Sequence, residues 1–307
     1  MSSVPVLIRL LASSVSVANR AGKIVRDVMS KGELGIVEKG KDDYQTEADR
    51  SAQRCIIASL SAQYPKINII GEEDGNQIQD SNEYLVMDSD QEILAINCPE
   101  SLKGVEEKDI VVWVDPLDGT AEYTQGFLEH VTVLIGISVN ERPVAGVIHQ
   151  PYYKNVVGSD KIIGRTIWGL QEVGVGGFTL APPPDSLVIT TTRSHSNAIV
   201  ENALQVMNAK QILRVGGAGY KVLQLLEGKA SIYVFASPGC KKWDTCGPEA
   251  ILSAAGGKLT DILGNHYKYG ASESRPNKTG VLAAVYEDLH SYALSRIPQE
   301  LKDELAK

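Results

Sequence analysis

The most informative segment of the chain reads IVVWVDPLDGT and occupies residues 110–120. Its first five residues are all apolar and either β-branched or aromatic, and polar sequence flanks them. This pattern predicts a buried strand. Asp115 ends that strand, Pro116 fixes its own φ angle, and Gly119 lets the backbone turn without a Cβ atom. Thr120 then begins a helix, whose unpaired N–H groups attract a phosphate. The segment therefore predicts a strand that leads through polar residues into a helix start.

The same segment has the residue types of a metal site. Asp115 and Asp118 can face one point, with the carbonyl of Leu117 between them. Two carboxylates and a carbonyl are hard oxygen ligands, which suit Mg²⁺ with substrate phosphate and water in its remaining positions. Asp-Pro and Asp-Gly are also ordinary turn chemistry, so these residues taken alone are equally typical of a plain turn.

Further carboxylates stand at other predicted strand ends and helix starts. Glu72 follows a short apolar run, Asp244 precedes a helix expected to begin near Pro248, and Asp49 lies in the first turn of a helix predicted at 46–63. Each has a simpler interpretation: a solvated acidic loop for Glu72 with Glu73 and Asp74, an N-cap for Asp244, and a capping box for Asp49. The combination favours a metal site, because converging carboxylates resist ionisation unless a cation is present.

The remaining pattern predicts two domains. Apolar residues recur every three or four positions over 4–28, which indicates a helix with one buried face, and residues around 140–143 are typical of a hairpin turn. Three consecutive prolines within 181–185 indicate a stiff connection. Strands and helices alternate beyond it, as in an α/β layer domain. We expect an N-terminal α+β domain at 1–182 and a smaller C-terminal α/β domain at 183–307.

Composition excludes several classes of protein. The chain is 43% hydrophobic and 22% charged, unlike a disordered or collagen-like chain. A net charge of −8 argues against broad binding to nucleic acid. The four cysteines form no CxxC pair, which argues against a structural zinc site, and no apolar run is long enough to span a membrane. We therefore expect a cytoplasmic protein with neither nucleic acid nor membrane as a partner.

The acidic motifs resemble those of the lithium-sensitive, Mg²⁺-dependent phosphomonoesterase superfamily, which includes inositol monophosphatase and fructose-1,6-bisphosphatase. That superfamily has an Asp on an early helix, then Gly-Glu-Glu, Asp-Pro-(Ile/Leu)-Asp-Gly-Thr and a late Trp-Asp. The chain has all four in order, at Asp49, 71–73, 115–120 and 243–244. The resemblance implies a layered α/β/α/β/α sandwich with a mostly antiparallel N-terminal sheet, and an active site where the two domains meet.

Carried over residue by residue, the resemblance also implies a catalytic centre. It implies that the Asp49 carboxylate draws the hydroxyl proton of Thr120, whose oxygen orients a metal-bound water. Inhibition by Li⁺ follows from the same resemblance. The implied ligands of two or three Mg²⁺ ions are Glu72, Asp115, the Leu117 carbonyl, Asp118 and Asp244.

Within the superfamily the chain is most similar to the bisphosphate nucleotidases, at 190–196, 214–221 and 237–244. This similarity implies removal of the 3′-phosphate of adenosine 3′,5′-bisphosphate, which gives AMP and phosphate, with 3′-phosphoadenylyl sulfate and inositol 1,4-bisphosphate as further substrates. The chain departs from the family at Ala121, where a Lys is usual. This departure puts in doubt the detailed properties of the site near the 115–120 segment, and not the activity. The implied nucleotide contacts are Thr192, His195, Gly217 and Lys221.

Some interpretations stay open. The backbone N–H groups of 216–219, with Lys221, can hold the non-reacting 5′-phosphate, or the glycines can form a plain tight turn. An inositol phosphate phosphatase of the same superfamily shares every metal ligand. A non-catalytic nucleotide sensor with the same fold is a further alternative. A dinucleotide-binding oxidoreductase is less favoured, because 217–222 lacks the third Gly or Ala of that motif. The oligomeric state is expected to be a monomer or a homodimer.

Overall fold

The computed structural model describes residues 4–40, 43–73, 85–153 and 164–307. The helices are α1 (Val6–Lys31), α2 (Glu47–Gln63), α3 (Gln91–Leu94), α4 (Thr120–Gln125), α5 (Ala198–Met207), α6 (Ala218–Leu226), α7 (Lys242–Ala254), α8 (Glu287–Arg296) and α9 (Gln299–Leu305), with short 3-10 turns at Glu100–Leu102, Glu107–Asp109 and Leu128–His130. The strands are β1 (Val37–Gly40), β2 (Asp43–Gln45), β3 (Asn68–Gly71), β4 (Ile110–Asp118), β5 (Thr132–Val139), β6 (Arg142–Gln150), β7 (Arg165–Leu170), β8 (Gly174–Gly176), β9 (Val188–Thr192), β10 (Gln211–Val215), β11 (Ile232–Phe235), β12 (Lys258–Thr260) and β13 (Val281–Ala284).

The two N-terminal helices follow their sequence signals. Helix α1 ends at Gly32, whose positive φ of 77° lets its N–H reach the carbonyl of Met29. Helix α2 begins after Thr46, whose hydroxyl oxygen accepts the N–H of Ala48 while Asp49 bonds back to the Thr46 backbone. The predicted capping box and the helix at 46–63 are therefore confirmed.

The first sheet has the order β3-β4-β5-β6-β7-β8, and all its neighbouring strands are antiparallel except the parallel pair β3 and β4. Strands β5 and β6 are joined by Asn140 and Glu141, whose φ angles of 50° and 64° match a tight hairpin turn. The expected turn at 140–143 is wrong in its second half, because Pro143 lies within β6. It pairs with Ser138 at a register shift, where a strand tolerates the missing N–H.

The second sheet has the order β10-β9-β11-β13-β12, and helices pack on both of its faces. Helices α6 and α7 pack between the two sheets, α1 and α2 cover the outer face of the first sheet, and α5 and α8 cover the outer face of the second. The order of layers is therefore α/β/α/β/α, which confirms the predicted fold class. Trp113, Leu134 and Ile148 of the first sheet share one apolar cluster with residues of the second sheet. The division at 182/183 stays a prediction.

Helix α7 packs directly against the first sheet because three glycines are aligned across the strands of that sheet. Gly136 of β5 pairs with Gly146 of β6, which in turn pairs with Gly169 of β7. A Cβ atom at Gly146 would lie 2.3 Å from the carbonyl oxygen of Gly247 in α7. This glycine row therefore lets the middle of α7, around Gly247, pack directly against the strands. Within the described residues, no helix combines the length and apolar character needed to cross a bilayer.

Candidate active site

The predicted site residues meet at a cavity of about 340 Å³ at the junction of the two sheets. Carboxylates from the first sheet and from α7 lie on one side, and residues from β9 and α6 lie on the other. The predicted residues that line the cavity are Glu72, Asp115, Leu117, Asp118, Thr120, Thr192, His195, Gly217, Lys221 and Asp244. The remaining one, Asp49, lies behind Thr120 and bonds to its hydroxyl group.

A bulge in β4 turns Asp115 and Asp118 toward the same side. Asp115 pairs with Leu134 and Asp118 with Thr132, so three steps along β4 oppose two steps along β5. Residues three apart in a regular strand face opposite sides, and the one extra residue of a bulge restores a common face. The expectation that Asp115 ends the strand is therefore wrong, since β4 continues through Asp118.

Asp118 is held by hydrogen bonds from the neighbouring strand β5 and from the start of α6. Its carboxylate accepts the Thr132 hydroxyl at 2.7 Å and the backbone N–H groups of Ala218 and Gly219 at 2.8 Å each. The carboxylate therefore satisfies N–H groups in the first turn of α6, which would otherwise lack partners. Thr132 was missed by the sequence analysis, because its role depends on being paired with Asp118 across two strands.

Asp244 occupies the third position of α7, because this helix begins earlier in the chain than the sequence indicated. The helix begins at Lys242 and not near Pro248, and Asp244 Oδ2 accepts the backbone N–H of Lys241 at 2.8 Å. Asp244 therefore completes the helix start from inside the first turn, and the alternative interpretation of Asp244 as the N-cap residue is wrong, since Lys241 has that position. Asp115 has a simpler environment, because within the described residues its Oδ1 accepts the N–H of Leu117 at 2.9 Å.

Asp49 divides its two oxygens between two tasks. Oδ2 accepts the backbone N–H of Thr46 at 2.7 Å and its hydroxyl group at 2.5 Å, which completes the capping box. Oδ1 accepts the hydroxyl of Thr120 at 3.1 Å, and the same hydroxyl lies 3.0 Å from the Leu117 carbonyl oxygen. The capping interpretation and the proposed pairing with Thr120 are thus compatible in one residue. Burial raises the pKa of Asp49 to about 7.

The acidic half of the cavity is electrostatically unfavourable without a cation. Burial raises the pKa of Asp115 well above its ordinary value, and the charges of Glu72, Asp118 and Asp244 add to that increase. Burial also raises the pKa of Asp244, with Glu72 and Asp118 adding to it. Across the described part of the chain, no three His, Cys, Asp or Glu side chains are already drawn together as metal ligands. The carboxylates of Glu72, Asp115, Asp118 and Asp244 nevertheless line one cavity. An all-oxygen donor set of this charge fits Mg²⁺.

The two adjacent glutamates have different environments. Glu72 lines the cavity and lies 3.4 Å from Lys39 Nζ. Glu73 is buried beneath it, with Lys39 Nζ at 3.0 Å and with hydrogen bonds between its backbone and the Gln53 side chain. The interpretation of this segment as a solvated acidic loop is therefore wrong for Glu73. The sequence did not distinguish the two glutamates, because Lys39 and Gln53 come from other segments.

In the glycine-rich segment before α6, most N–H groups already have partners within the protein, which favours the tight-turn alternative over the phosphate cradle. The N–H of Gly216 donates to His130 Nδ1 at 3.2 Å, and those of Ala218 and Gly219 donate to Asp118. These groups therefore bind side chains of the protein. Gly217 has a φ of 68°, and a Cβ there would lie 2.9 Å from Asp118 Oδ2. The glycines thus allow the segment to pack directly against Asp118.

A buried lysine lies on the side of the cavity formed by β9 and α6. Lys221 is buried, and its Nζ donates to the Gly217 carbonyl at 2.9 Å. Burial lowers the pKa of Lys221, and the charge of Asp118 opposes that change. Thr192 lies at the end of β9, where its hydroxyl oxygen accepts the N–H of His195 at 3.0 Å and closes a turn. Thr192, His195 and Lys221 therefore face the acidic residues across the cavity.

The five-layer fold and this acidic cavity define an α/β protein whose site is suited to a divalent cation and an anionic ligand. The sequence model of the inositol monophosphatase family matches residues 8–301. The chain belongs to the inositol monophosphatase family, whose members are generally Mg²⁺-dependent and Li⁺-sensitive.

Relatives with full-length similarity extend this result. The 3′(2′),5′-bisphosphate nucleotidase 1 of Homo sapiens is 53% identical over 307 residues, which cover 99% of each chain. The protein of the same name from Dictyostelium discoideum is 38% identical over 93% of this chain and 95% of its own length. Among solved structures, the extragenic suppressor protein suhB from Bartonella henselae covers 93% of this chain and 96% of its own, with a TM-score of 0.67 and 20% identity. That structure supports the fold.

Proposed function

We propose that this protein is a Mg²⁺-dependent phosphomonoesterase that removes the 3′-phosphate of adenosine 3′,5′-bisphosphate and releases AMP and phosphate. The observation that carries the proposal is the single cavity with oxygen donors on one side and Lys221, Thr192 and His195 on the other. Full-length relatives at 53% and 38% identity that are named bisphosphate nucleotidases support the same substrate class. We extend the proposal to 3′-phosphoadenylyl sulfate and inositol 1,4-bisphosphate.

The acidic side of the cavity is the proposed cation site. When bound, Mg²⁺ would orient the phosphate, activate a water molecule and offset the charge that develops on the departing ribose oxygen. The bulge in β4 supports this assignment, because it aims Asp115 and Asp118 at one point together with Asp244 from α7. We assign two or three ions to Glu72, Asp115, the Leu117 carbonyl, Asp118 and Asp244, and we expect Li⁺ to inhibit.

Asp49 and Thr120 are the proposed catalytic pair. The Thr120 hydroxyl lies within hydrogen-bonding distance of two protein acceptors, Asp49 Oδ1 and the Leu117 carbonyl oxygen. With its proton directed there, the Thr120 oxygen can accept a hydrogen bond from a water molecule in the cavity. The attacking water would be oriented in this way, and positioning is the main demand of phosphate ester hydrolysis.

The opposite side of the cavity is the proposed nucleotide site. Lys221 supplies a buried positive charge in a protein whose net charge is −8. Net charge affects long-range steering, whereas a local cation decides where an anion binds. We propose that Thr192, His195, Gly217 and Lys221 contact the nucleotide. We also propose a monomer or homodimer in the cytoplasm, with a small-molecule substrate and neither nucleic acid nor membrane as a partner.

Phosphate release from three substrates tests the proposal. Adenosine 3′,5′-bisphosphate, inositol 1-phosphate and inositol 1,4-bisphosphate are compared at equal concentration with Mg²⁺, with and without millimolar Li⁺. We expect the nucleotide to react with the highest kcat/KM and the rate to fall in Li⁺. A preference for inositol 1-phosphate would assign the chain to the alternative function, and tight nucleotide binding without turnover would make it a sensor.

A further inference from the structure

We infer that Arg193 positions the nucleotide side of the cavity against the metal side, an inference that rests on the proposed function. Arg193 lies between Thr192 and His195, both proposed nucleotide contacts, yet its side chain extends away from that loop. It reaches the segment 120–127, which begins at the catalytic Thr120. Arg193 is therefore a positioning residue, which determines the distance between bound nucleotide and reacting phosphate without touching either.

The Arg193 side chain makes three different contacts, all with this one segment. Its Nε atom lies 3.5 Å from Oε1 of Glu122, its Nη2 atom donates to Oε1 of Gln125, and its guanidinium carbon lies 4.1 Å from the ring centre of Phe127. These contacts are an ion pair, a hydrogen bond and a cation–π contact, and all three are with α4 or the residues just after it. Together they fix the direction of the Arg193 side chain.

The ion pair with Glu122 is the buried contact of the three. The Glu122 side chain is 4% exposed and that of Arg193 is 28% exposed. Neither Glu122 Oε1 nor Arg193 Nε has a hydrogen-bond partner among the described residues. Each buried polar atom therefore depends on the charge of the other, and removal of one leaves the other uncompensated. Glu122 also lies directly under Gly216, where a Cβ would be 2.0 Å from its carboxyl carbon.

The backbone of Arg193 is bonded to the segment before α6, which carries other proposed nucleotide contacts. Its N–H donates to the carbonyl of Val215 at 3.2 Å, and Val215 directly precedes Gly216 and Gly217. Arg193 therefore joins both segments that carry nucleotide contacts to the helix that follows the metal loop. Loss of its side-chain contacts should let these segments shift relative to Thr120 while the acidic side of the cavity is unchanged.

Product inhibition separates the two sides of the cavity. AMP needs the nucleotide side, whereas inorganic phosphate needs only the acidic side. We expect Arg193→Gln to raise the Ki of AMP and the KM of adenosine 3′,5′-bisphosphate about tenfold, since the variant breaks a buried charge pair. The Ki of inorganic phosphate should remain within about twofold of the wild type. A merely structural defect would raise both constants together, and that result would overturn the inference.

A double-mutant cycle tests whether Arg193 acts through Glu122. Glu122→Gln should reproduce most of the rise in the Ki of AMP, and the double variant should add little to either single change. Additive effects would mean that Arg193 contacts the nucleotide directly, which would contradict its positioning role. Gln125→Ala removes a contact from an exposed side chain and should give a smaller rise in the same constant without loss of folding.

The matched control is another Arg–Glu pair, between Arg214 and Glu201, at 2.8 Å and exposed at the surface. Arg214→Gln and Glu201→Gln should leave both inhibition constants unchanged, as expected of exposed pairs. If the wild type releases no phosphate from adenosine 3′,5′-bisphosphate, the proposed function itself fails. If the wild type is active and Arg193→Gln leaves the Ki of AMP unchanged, only the inference fails.

Discussion

The carboxylate of Asp118 accepts the backbone N–H of Gly219 at 2.8 Å, although 101 residues separate them. A residue of the proposed metal loop thereby completes the start of α6, the helix that carries Lys221. A carboxylate at a helix N-terminus also interacts favourably with the helix dipole. The proposed cation side and the proposed nucleotide side of the cavity are thus joined by a direct hydrogen bond, so that a change at Asp118 should affect both.

This arrangement predicts different effects for two neighbouring carboxylates. Asp118→Asn should lower the free energy of unfolding of the metal-free protein by about 1–3 kcal/mol, because buried hydrogen bonds to the carboxylate are lost. Asp115→Asn should leave it unchanged or raise it, because burial and neighbouring charges raise the pKa of Asp115 and make its ionised form unfavourable. Both variants should lose about 10²-fold or more in turnover.

Denaturant titration and phosphate release measure these two quantities, with the exposed Asp185→Asn as control. Near-normal turnover of Asp115→Asn at ordinary Mg²⁺ concentrations would remove Asp115 from the ligand set. Equal losses of stability in the Asp115 and Asp118 variants would contradict the role given to the α6 hydrogen bonds.

The hydroxyl group of Thr120 should matter more than its methyl group. Thr120→Ser keeps the hydrogen bond to Asp49 and should retain most of kcat, whereas Thr120→Ala should lower kcat by about 10²-fold or more. Thr124→Ala serves as a control on the same helix, since the Thr124 hydroxyl donates to the local Ala121 carbonyl at 3.0 Å. Steady-state kinetics measure the effect, and equal rates for the Ser and Ala variants would exclude Thr120 from the mechanism.

The glycine row that seats α7 should tolerate no side chain. Gly146→Ala places a Cβ about where the backbone of Gly247 lies, at 2.3 Å from its carbonyl oxygen. We expect a loss of about 1–3 kcal/mol or more in the free energy of unfolding, as for other overpacked cores. Gly104→Ala is the matched control, because a Cβ there meets no atom within 4 Å. Equal melting temperatures of the two variants would show that α7 can move from the sheet.

Buried His149 should make stability depend on pH. Burial, together with the nearby charge of Arg26, lowers the pKa of His149 from 6.5 to about 3. The folded protein keeps the ring neutral, so this contribution to stability is complete above pH 6.5 and is lost as the pH falls toward 3. The slope approaches about 1.4 kcal/mol per pH unit.

The variant His149→Gln separates this effect from that of the carboxylates. Its melting temperature should fall less steeply than that of the wild type between pH 6.5 and pH 4, because it binds no proton on unfolding. Parallel pH profiles of the two proteins would show that His149 does not have the lowered pKa.

Local signals in the sequence were sufficient for part of the fold and site. The spacing of Thr46 and Asp49 predicted the start of α2, and Gly32 predicted the end of α1. The layered fold was available from the resemblance of the acidic motifs. These features depend on residues within one or two helical turns of each other, or on motifs that survive as short patterns.

The remaining features depend on pairing between distant segments. The bulge that turns Asp115 and Asp118 to one side exists only against β5, where Thr132 and Leu134 oppose them. The choice between a phosphate cradle and a tight turn before α6 depends on N–H groups that bind Asp118 and His130, far away in the sequence. No local pattern at either segment contains that information.

A crystal structure of the protein soaked with Mn²⁺, AMP and phosphate tests the assignment most directly, because anomalous scattering locates the metal. We expect metal ions within bonding distance of Glu72, Asp115, the Leu117 carbonyl, Asp118 and Asp244, with phosphate beside Thr120 and AMP against Lys221. Metal bound elsewhere, or a nucleotide outside the cavity while these carboxylates remain apart, would contradict it.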